Sequence, residues 1–268
     1  MAVTRRGYIF GAFLSSVLSV LLIVVALASD SWVTSTATAP TQNADSSIRY
    51  GLFRGEFIIR ELNPPTAHTL YVTCITDIGV CAVSCKTNDD AREAEVRALA
   101  SGFRPNPACG STTTVNEAEP LSTPPVISFA FYVCLITLLI IQLLLALGAA
   151  GLAILNATKN PTEPVFGLPG CLWTNIVVTL VGVAVMLMFG IYWATSGLQN
   201  HLAMTHIALG LFIPGPGLGY SYWLLIVACL CTATNVALIQ VRAYLLERDP
   251  PPPTLKVENH SDGTIFLY

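Results

Sequence analysis

The sequence has 268 residues, of which 53% are apolar and only 11% are charged, and its formal net charge is -3. Soluble domains carry about 25% charged residues, so this composition argues against an ordinary soluble fold. The small net charge and the lack of a basic stripe also argue against a nucleic-acid partner. Charged residues cluster between long uncharged runs, and this segregation indicates a membrane protein with the lipid bilayer as its surroundings.

Four apolar runs are long enough to cross a bilayer core about 30 Å thick, which takes roughly 20 helical residues. The predicted spans cover residues 8–28, 126–155, 171–194 and 220–246. No ionisable side chain interrupts the apolar runs, the last of which ends near Val241. A signal peptide cleaved after Ala28 would leave three spans, but the first run is longer than a signal-peptide core. Gly7 and Gly11 also form a small-residue face suited to packing on another helix, which favours a retained span.

The distribution of Lys and Arg predicts that both chain ends face the cytoplasm. Basic residues occur in the amino-terminal segment 1–7, the loop 156–170 and the tail 247–268, whereas the loop 195–219 has none. Short loops rich in Lys and Arg stay on the cytoplasmic side. The first loop, residues 29–125, is too long for this rule and is predicted to be extracellular together with the loop 195–219.

Cysteines are unevenly placed along the chain. Four of the eight cysteines lie in the first loop. An even number of cysteines in a segment that faces an oxidising compartment predicts two disulfides, in one of three connectivities. The candidates are Cys74, Cys81, Cys85 and Cys109. Metal binding is the alternative, because Cys81-x3-Cys85 has tolerable ligand spacing, but zinc usually requires a second tight pair. The remaining cysteines lie in or beside spans and are predicted apolar fillers: Cys134, Cys171, Cys229 and Cys231. Of these, Cys171 at the inner edge of the third span is a candidate for acylation.

The first loop carries the signals of a small folded domain. Residues 48–59 and 70–76 are rich in β-branched and aromatic residues and are predicted strands. Residues 89–100 have helix formers and acidic residues in the opening turn, which predicts a short amphipathic helix. The expected fold is an all-α membrane bundle of four helices that carries a small disulfide-clamped β-sheet from the first loop.

Residues near the span ends and in the second predicted extracellular loop complete this picture. Trp32, just after the first span, is predicted to anchor the helix in the membrane interface. The run Pro214-Gly215-Pro216-Gly217 is predicted to be a turn after an extension of the third helix, with a re-entrant pore segment as the alternative. His201 and His206 lack a third partner and are predicted to be surface residues rather than metal ligands.

The tail begins with a run of four prolines at 250–253, a stiff spacer, and ends Phe266-Leu267-Tyr268. A hydrophobic terminal residue, a second one two positions earlier and a free carboxylate are what a PDZ-type pocket captures by strand addition. Short apolar termini also arise by chance, so a scaffold partner at the carboxyl terminus is one of two interpretations.

The sequence lacks the residues that several kinds of chemistry require. No apolar run carries a carboxylate or histidine of the kind that marks ion coupling or proton relay in membranes. No phosphate-binding loop, nucleophile constellation or metal motif occurs either. The sequence therefore predicts a protein that is not an enzyme, with no catalytic residue, no cofactor and no metal.

A family resemblance rests on a short motif of the first loop. The octapeptide Arg49-Tyr50-Gly51-Leu52-Phe53-Arg54-Gly55-Glu56 resembles the clarin signature, which reads close to YGLFHGE, and Trp32 precedes it as in the wider claudin and PMP22-like superfamily. Residues 156–170, the end of the third span and the terminal Leu267-Tyr268 are also similar to clarin segments. Arg54 in place of His and the longer, cysteine-richer loop depart from the pattern.

The resemblance implies a claudin-like fold and a non-enzymatic, multi-pass protein of the plasma membrane. Clarins organise membrane and actin-based assemblies in sensory cells, where they support hearing, mechanotransduction and synapse maintenance. Such a role implies membrane-protein partners at the spans and the extracellular loop. Two alternatives stay open, a claudin-like adhesion or barrier protein and an auxiliary ion-channel subunit.

Overall fold

The computed structural model describes residues 2–39, 42–59, 64–106, 108–120, 124–159, 163–196 and 213–248. Its long helices are α1 (Ala2–Ala28), α3 (Phe129–Lys159), α4 (Leu168–Thr195) and α5 (Tyr220–Arg248). Each contains a stretch long and apolar enough to cross a membrane, so the chain is a multi-pass membrane protein. The tail motif Phe266-Leu267-Tyr268, His201 and His206 lie outside the described residues.

The four long helices pack in a ring, in which α1 contacts α3 and α5, and α4 contacts the same two helices from the other side. Large apolar side chains such as Leu14, Leu144, Leu180 and Leu230 point outward and are more than half exposed. A lipid bilayer solvates such side chains, which explains why the outward faces of the helices are apolar. Inward positions are held by small residues, including Ala12, Ala26, Ala146, Ala149, Ala153 and Ala228, which let the helices approach closely.

One antiparallel sheet covers one end of the helix bundle. Its strands are β1 (Val33–Ala39), β2 (Gln42–Tyr50), β3 (Arg54–Ile59), β4 (Thr66–Ile75), β5 (Val80–Ser84), β8 (Ile127–Ser128) and β9 (Ile213–Leu218). Their order across the sheet is β8-β5-β4-β3-β2-β1-β9. Because β1 follows α1 directly and β9 precedes α5, the sheet lies at the end of the bundle opposite both Ala2 and Arg248.

A short helix and a second ribbon lie beside the sheet. Helix α2 (Asp89–Ala100) packs on β4 and β5, and the two-stranded ribbon pairs β6 (Phe103–Pro105) with β7 (Val115–Pro120). The buried side chains under α2, Val96 and Leu99, form an apolar cluster with Ile75 and Ala82 of the sheet. We call the sheet, α2 and the ribbon together the sheet domain.

Three sequence expectations are corrected by the fold. The predicted strand 48–59 is two strands, β2 and β3, separated by a turn over residues 51–53. The Pro-Gly run 214–217, expected to be a turn, lies in strand β9, which pairs with β1 in the register Thr36 to Gly215. The helix expected from residue 126 begins at Phe129, because the two preceding residues pair with β5 as strand β8.

Strand β9 is able to contain two prolines because it is the edge strand of the sheet that the described residues form. Proline has no N–H to donate, so Pro214 and Pro216 must occupy the positions that point away from β1, while Gly215 and Gly217 point toward it. The outer edge of β9 therefore lacks the donors at 214 and 216 that a further strand would need. This arrangement protects the sheet from pairing edge to edge with another chain.

Candidate functional site at the joint of sheet and bundle

The turn between β2 and β3 holds the octapeptide motif against the top of α1. The Gly51 N–H donates to the carbonyl oxygen of Arg54 at 2.7 Å and closes the turn. A Cβ on Gly51 would collide with the backbone carbonyl oxygen of Ser29, so only glycine allows this approach of the turn to the helix end. At Gly55, a Cβ would lie 2.4 Å from the Arg49 carbonyl oxygen on the facing strand.

Trp32 is enclosed at the centre of this joint, with 1% of its surface exposed. Its indole Nε1 donates to the Ala26 carbonyl oxygen at 2.6 Å, and its ring meets Phe189 of α4 edge-on at 5.0 Å. Its backbone N–H donates to the Tyr50 carbonyl oxygen at 3.0 Å. The expectation that Trp32 anchors the helix in the membrane interface is therefore wrong, because the side chain is buried between sheet and helices rather than exposed to headgroups.

The rest of the motif divides into buried and exposed positions. Leu52 is buried, and its carbonyl oxygen accepts a hydrogen bond from Tyr132 Oη of α3 at 2.7 Å. Phe53 is 48% exposed at the turn. Glu56 pairs with Arg49 across the strands at 2.5 Å on the surface. The buried members therefore join the sheet to the bundle, whereas the exposed members are free to meet a partner.

A single apolar core runs through the joint. Trp32, Tyr50 and Leu52 belong to the same buried cluster as Leu135, Leu139, Val185 and Leu225 of the helices. Burial raises the pKa of the Tyr50 phenol, and the nearby Tyr192 raises it further. A small apolar cavity of about 30 Å³ remains between the motif and α3. The sheet therefore packs directly on the helix bundle through a shared apolar core.

The loop cysteines form two disulfides in the sheet domain. Cys74 bonds Cys81 directly across β4 and β5, with Cα atoms 4.0 Å apart. Cys85 bonds Cys109, 24 residues away, and so ties the end of β5 to the segment between β6 and β7. This pairing selects one of the three connectivities that the sequence left open, and it leaves no role for these thiols as metal ligands.

Charged side chains are buried behind α2. Glu95 and Lys86 are both at most 1% exposed, and the Lys86 Nζ donates to the Asn106 and Ala108 carbonyl oxygens at 2.9 and 2.5 Å. The Ser84 hydroxyl donates to the Glu95 carboxylate. Desolvation by burial raises the pKa of Glu95, while the Ser84 hydrogen bond and the Lys86 charge oppose that rise. These groups fix the chain around α2.

A polar groove of about 630 Å³ lies between α2 and the outer face of β4. The Arg92 guanidinium stacks over the Tyr71 ring at 4.5 Å. Arg97 pairs with Asp77 at 2.9 Å and with Glu93 at 2.7 Å. The hydrogen bond from Arg97 lowers the pKa of Asp77. The groove thus presents fixed, alternating charges and one aromatic face. The charge pattern of residues 89–100 is the sequence signal for this groove, although from the sequence alone it predicts only a helix.

Polar side chains line the inside of the helix bundle over several turns. The Asn235 Nδ2 donates to Ser16 Oγ at 2.8 Å and to Asn175 Oδ1 at 3.1 Å, which joins α1, α4 and α5. One turn toward the sheet, the Thr179 and Thr232 hydroxyls lie 2.7 Å apart. These contacts satisfy polar groups that lipid could not, and they set the register of the helices.

Cys171, the candidate for acylation, lies inside the bundle. It is 2% exposed, and its carbonyl oxygen accepts a hydrogen bond from Asn175 at 2.8 Å. Acylating enzymes need an accessible thiol, so this placement argues against modification of Cys171. Cys134 is the exposed cysteine among the free thiols that the structure describes.

The described residues contain no group of three or more His, Cys, Asp or Glu side chains placed to hold a metal ion. A scan against protein-family models and a search of curated proteins found no match for the chain.

Proposed function

We propose that this chain is a clarin-like, non-enzymatic tetraspan of the plasma membrane, with its sheet domain outside the cell and both ends of the chain inside. Its task is to organise membrane and actin-based assemblies by holding partner proteins on the two sides of the membrane. The motif around Gly51 resembles the clarin signature, and this resemblance is the basis for proposing the family. A claudin-like sheet above four helices is the architecture that the clarin family implies.

The joint around Trp32 is the observation that carries this proposal. Among the residues on which the resemblance rests, Trp32, Tyr50 and Leu52 pack the sheet against the helices in the shared core. A rigid joint of this kind transmits the position of an external partner to the helices and the tail.

Partner binding needs exposed surfaces on the sheet domain. The groove beside α2, with Arg92 over Tyr71, combines an aromatic face with charged side chains that are held in place by ion pairs. Arginine and tyrosine are enriched where proteins bind one another. The tail ending in Tyr268 supplies the second contact in this proposal, as a ligand for a PDZ-type scaffold inside the cell.

Proximity labelling from the full chain in cells tests the tail. A variant that lacks residues 265–268 should lose scaffold proteins from the labelled set, and so should a variant with one alanine added after Tyr268. The added residue keeps every side chain but moves the carboxylate that such a pocket captures. An unchanged partner set in both variants would contradict the scaffold part of the proposal.

A second assay distinguishes the proposed organising role from the alternative role in cell adhesion. Cells that grow in suspension and express the chain should form no new contacts if the protein is an organiser. Aggregation of these cells, lost when Arg92 is replaced by Glu in the groove, would favour a claudin-like adhesion protein instead.

A further inference from the structure

Helix α5 carries an arginine near its end remote from the sheet, and two nitrogens of this guanidinium have no hydrogen-bond acceptor among the residues that the structure describes. The Nε and Nη1 atoms of Arg242 are shielded from solvent, and neither has a hydrogen-bond partner there. Arg242 is only partly exposed, and guanidinium donors that are shielded from water without an acceptor are unfavourable. These two nitrogens therefore favour an anion or another acceptor that the described residues do not supply.

Helix α1, which packs on α5, leaves room for an anion at the level of Arg242. Helices α1 and α5 run antiparallel, and Ser16 meets Asn235 at 2.8 Å. Farther from the sheet, a Cβ built on Gly11 would lie 3.7 Å from Leu238 Cδ1. One more helical turn brings Gly7 level with Arg242, since both positions are four residues farther along the same faces. Gly7 is exposed and a Cβ on it would meet nothing within 4 Å, so α1 has no side chain at this level that would block a gap open to the lipid side.

The depth of Arg242 matches that of lipid headgroups. Helix α5 begins at Tyr220 beside the sheet, and 22 residues of helix to Arg242 span about 33 Å. The hydrocarbon core of a bilayer is about 30 Å thick. With the start of α5 at one interface, Arg242 reaches the headgroup layer at the other, where phosphate is abundant.

Carboxylates of the described chain do not fill this role. Near this end of the bundle the described acids include Glu163 and Glu247, both exposed, and no ion pair joins either of them to Arg242. A phosphate group accepts several hydrogen bonds from a guanidinium in one plane, and it can enter the gap from the lipid side.

We propose that Arg242, in the gap beside Gly7, binds the phosphate of a phospholipid headgroup in the leaflet opposite the sheet. The bound lipid would fill the space between α1 and α5 and hold their ends together. This inference does not depend on the family resemblance, because it rests on burial, spacing and charge alone.

Lipid binding to the purified full-length chain tests the proposal. The chain in neutral detergent is titrated with phosphatidylglycerol, and bound lipid is counted by native mass spectrometry while the thermal midpoint is recorded. Arg242→Gln should weaken lipid binding by about tenfold or more, as expected for loss of a charged hydrogen bond. Arg248→Gln, an equal charge change at an exposed position of the same helix, should leave binding within about twofold of the parent.

Gly7→Leu provides a second variant that keeps the arginine but closes the gap, and it should also weaken lipid binding. Equal losses for Arg242→Gln and Arg248→Gln would overturn the site, because they would indicate general surface charge. A midpoint that rises with inorganic phosphate as much as with the lipid would overturn the lipid assignment. A chain ending at Arg248 that binds more lipid than the parent would assign Arg242 to a carboxylate of the tail instead.

Discussion

The indole of Trp32 donates to the backbone carbonyl oxygen of Ala26 at 2.6 Å, in the last turn of α1. The last carbonyl groups of a helix have no partner within the helix, and side-chain donors often satisfy them. Here the donor comes from the residue that also binds strand β2 through its backbone. A single residue thus binds the end of a membrane helix through its side chain and the sheet through its backbone.

Replacement of Trp32 by Phe should destabilise the protein by about 2–4 kcal/mol, since it leaves a cavity against Phe189 and removes the short hydrogen bond to the Ala26 carbonyl, which then keeps only the longer one from Ser29 Oγ at 3.3 Å. Thermal unfolding in detergent measures the change. Trp173→Phe is the matched control, because Trp173 is 65% exposed on α4 and should change stability by less than about 0.5 kcal/mol. Equal effects of the two substitutions would show that the joint does not depend on Trp32.

Gly51→Ala should impair folding, because the added Cβ collides with the Ser29 backbone and forces the turn away from α1. Overpacking of this kind costs about 1–3 kcal/mol. The yield of monodisperse protein and its thermal midpoint report the loss. Gly110→Ala, at a position where a Cβ meets nothing within 4 Å, should behave like the parent. A parental midpoint for Gly51→Ala would contradict the close approach of turn and helix.

Removal of the Cys85–Cys109 disulfide should cost about 3–4 kcal/mol, and removal of Cys74–Cys81 somewhat less, because the longer loop loses more entropy when it is closed. Double Cys→Ser variants of each pair, compared by thermal unfolding, test this order. Mass mapping of the unreduced parent should recover peptides joined in these two pairs. Peptides joined in another pairing would refute the connectivity.

The buried Glu95 should make the sheet domain more stable as the pH falls from neutral toward the ordinary glutamate value of 4.5. Its pKa is raised in the folded state, so the folded protein binds the proton more tightly than the unfolded chain does. The stabilising effect is fully present at low pH and is lost as the pH rises through the folded pKa. Asp77 acts oppositely, because its lowered pKa adds stability that is lost only at lower pH.

Glu95→Gln, followed by thermal unfolding across this pH range, should flatten the dependence, because the amide keeps an acceptor for Ser84 but does not titrate. Glu93→Gln is the control on the exposed face of the same helix. A slope that survives Glu95→Gln unchanged would assign the pH dependence to other groups.

Much of the fold followed from local sequence pattern. Long apolar runs and the spacing of residues 89–100 predicted four membrane helices and α2, because each depends on residues that are neighbours in the chain. Disulfide formation in the first loop was also predicted, whereas the pairing of Cys74 with Cys81 required the register of β4 and β5.

Two of the corrected features depend on contacts between distant segments. The run 214–217 forms a strand only because β1, far away in the chain, offers an edge for it. Trp32 is buried because the motif turn and Phe189 cover it, and nothing next to it in the sequence signals that cover.

Sidedness of the membrane is the central claim, and labelling of single cysteines on intact cells tests it most directly. In a Cys134→Ala background, an impermeant maleimide should react with Ala94→Cys on α2 and not with Glu247→Cys at the end of α5, both of which are exposed positions. Permeabilised cells should label both. Reaction of Glu247→Cys on intact cells, or protection of Ala94→Cys there, would contradict an extracellular sheet above four membrane spans.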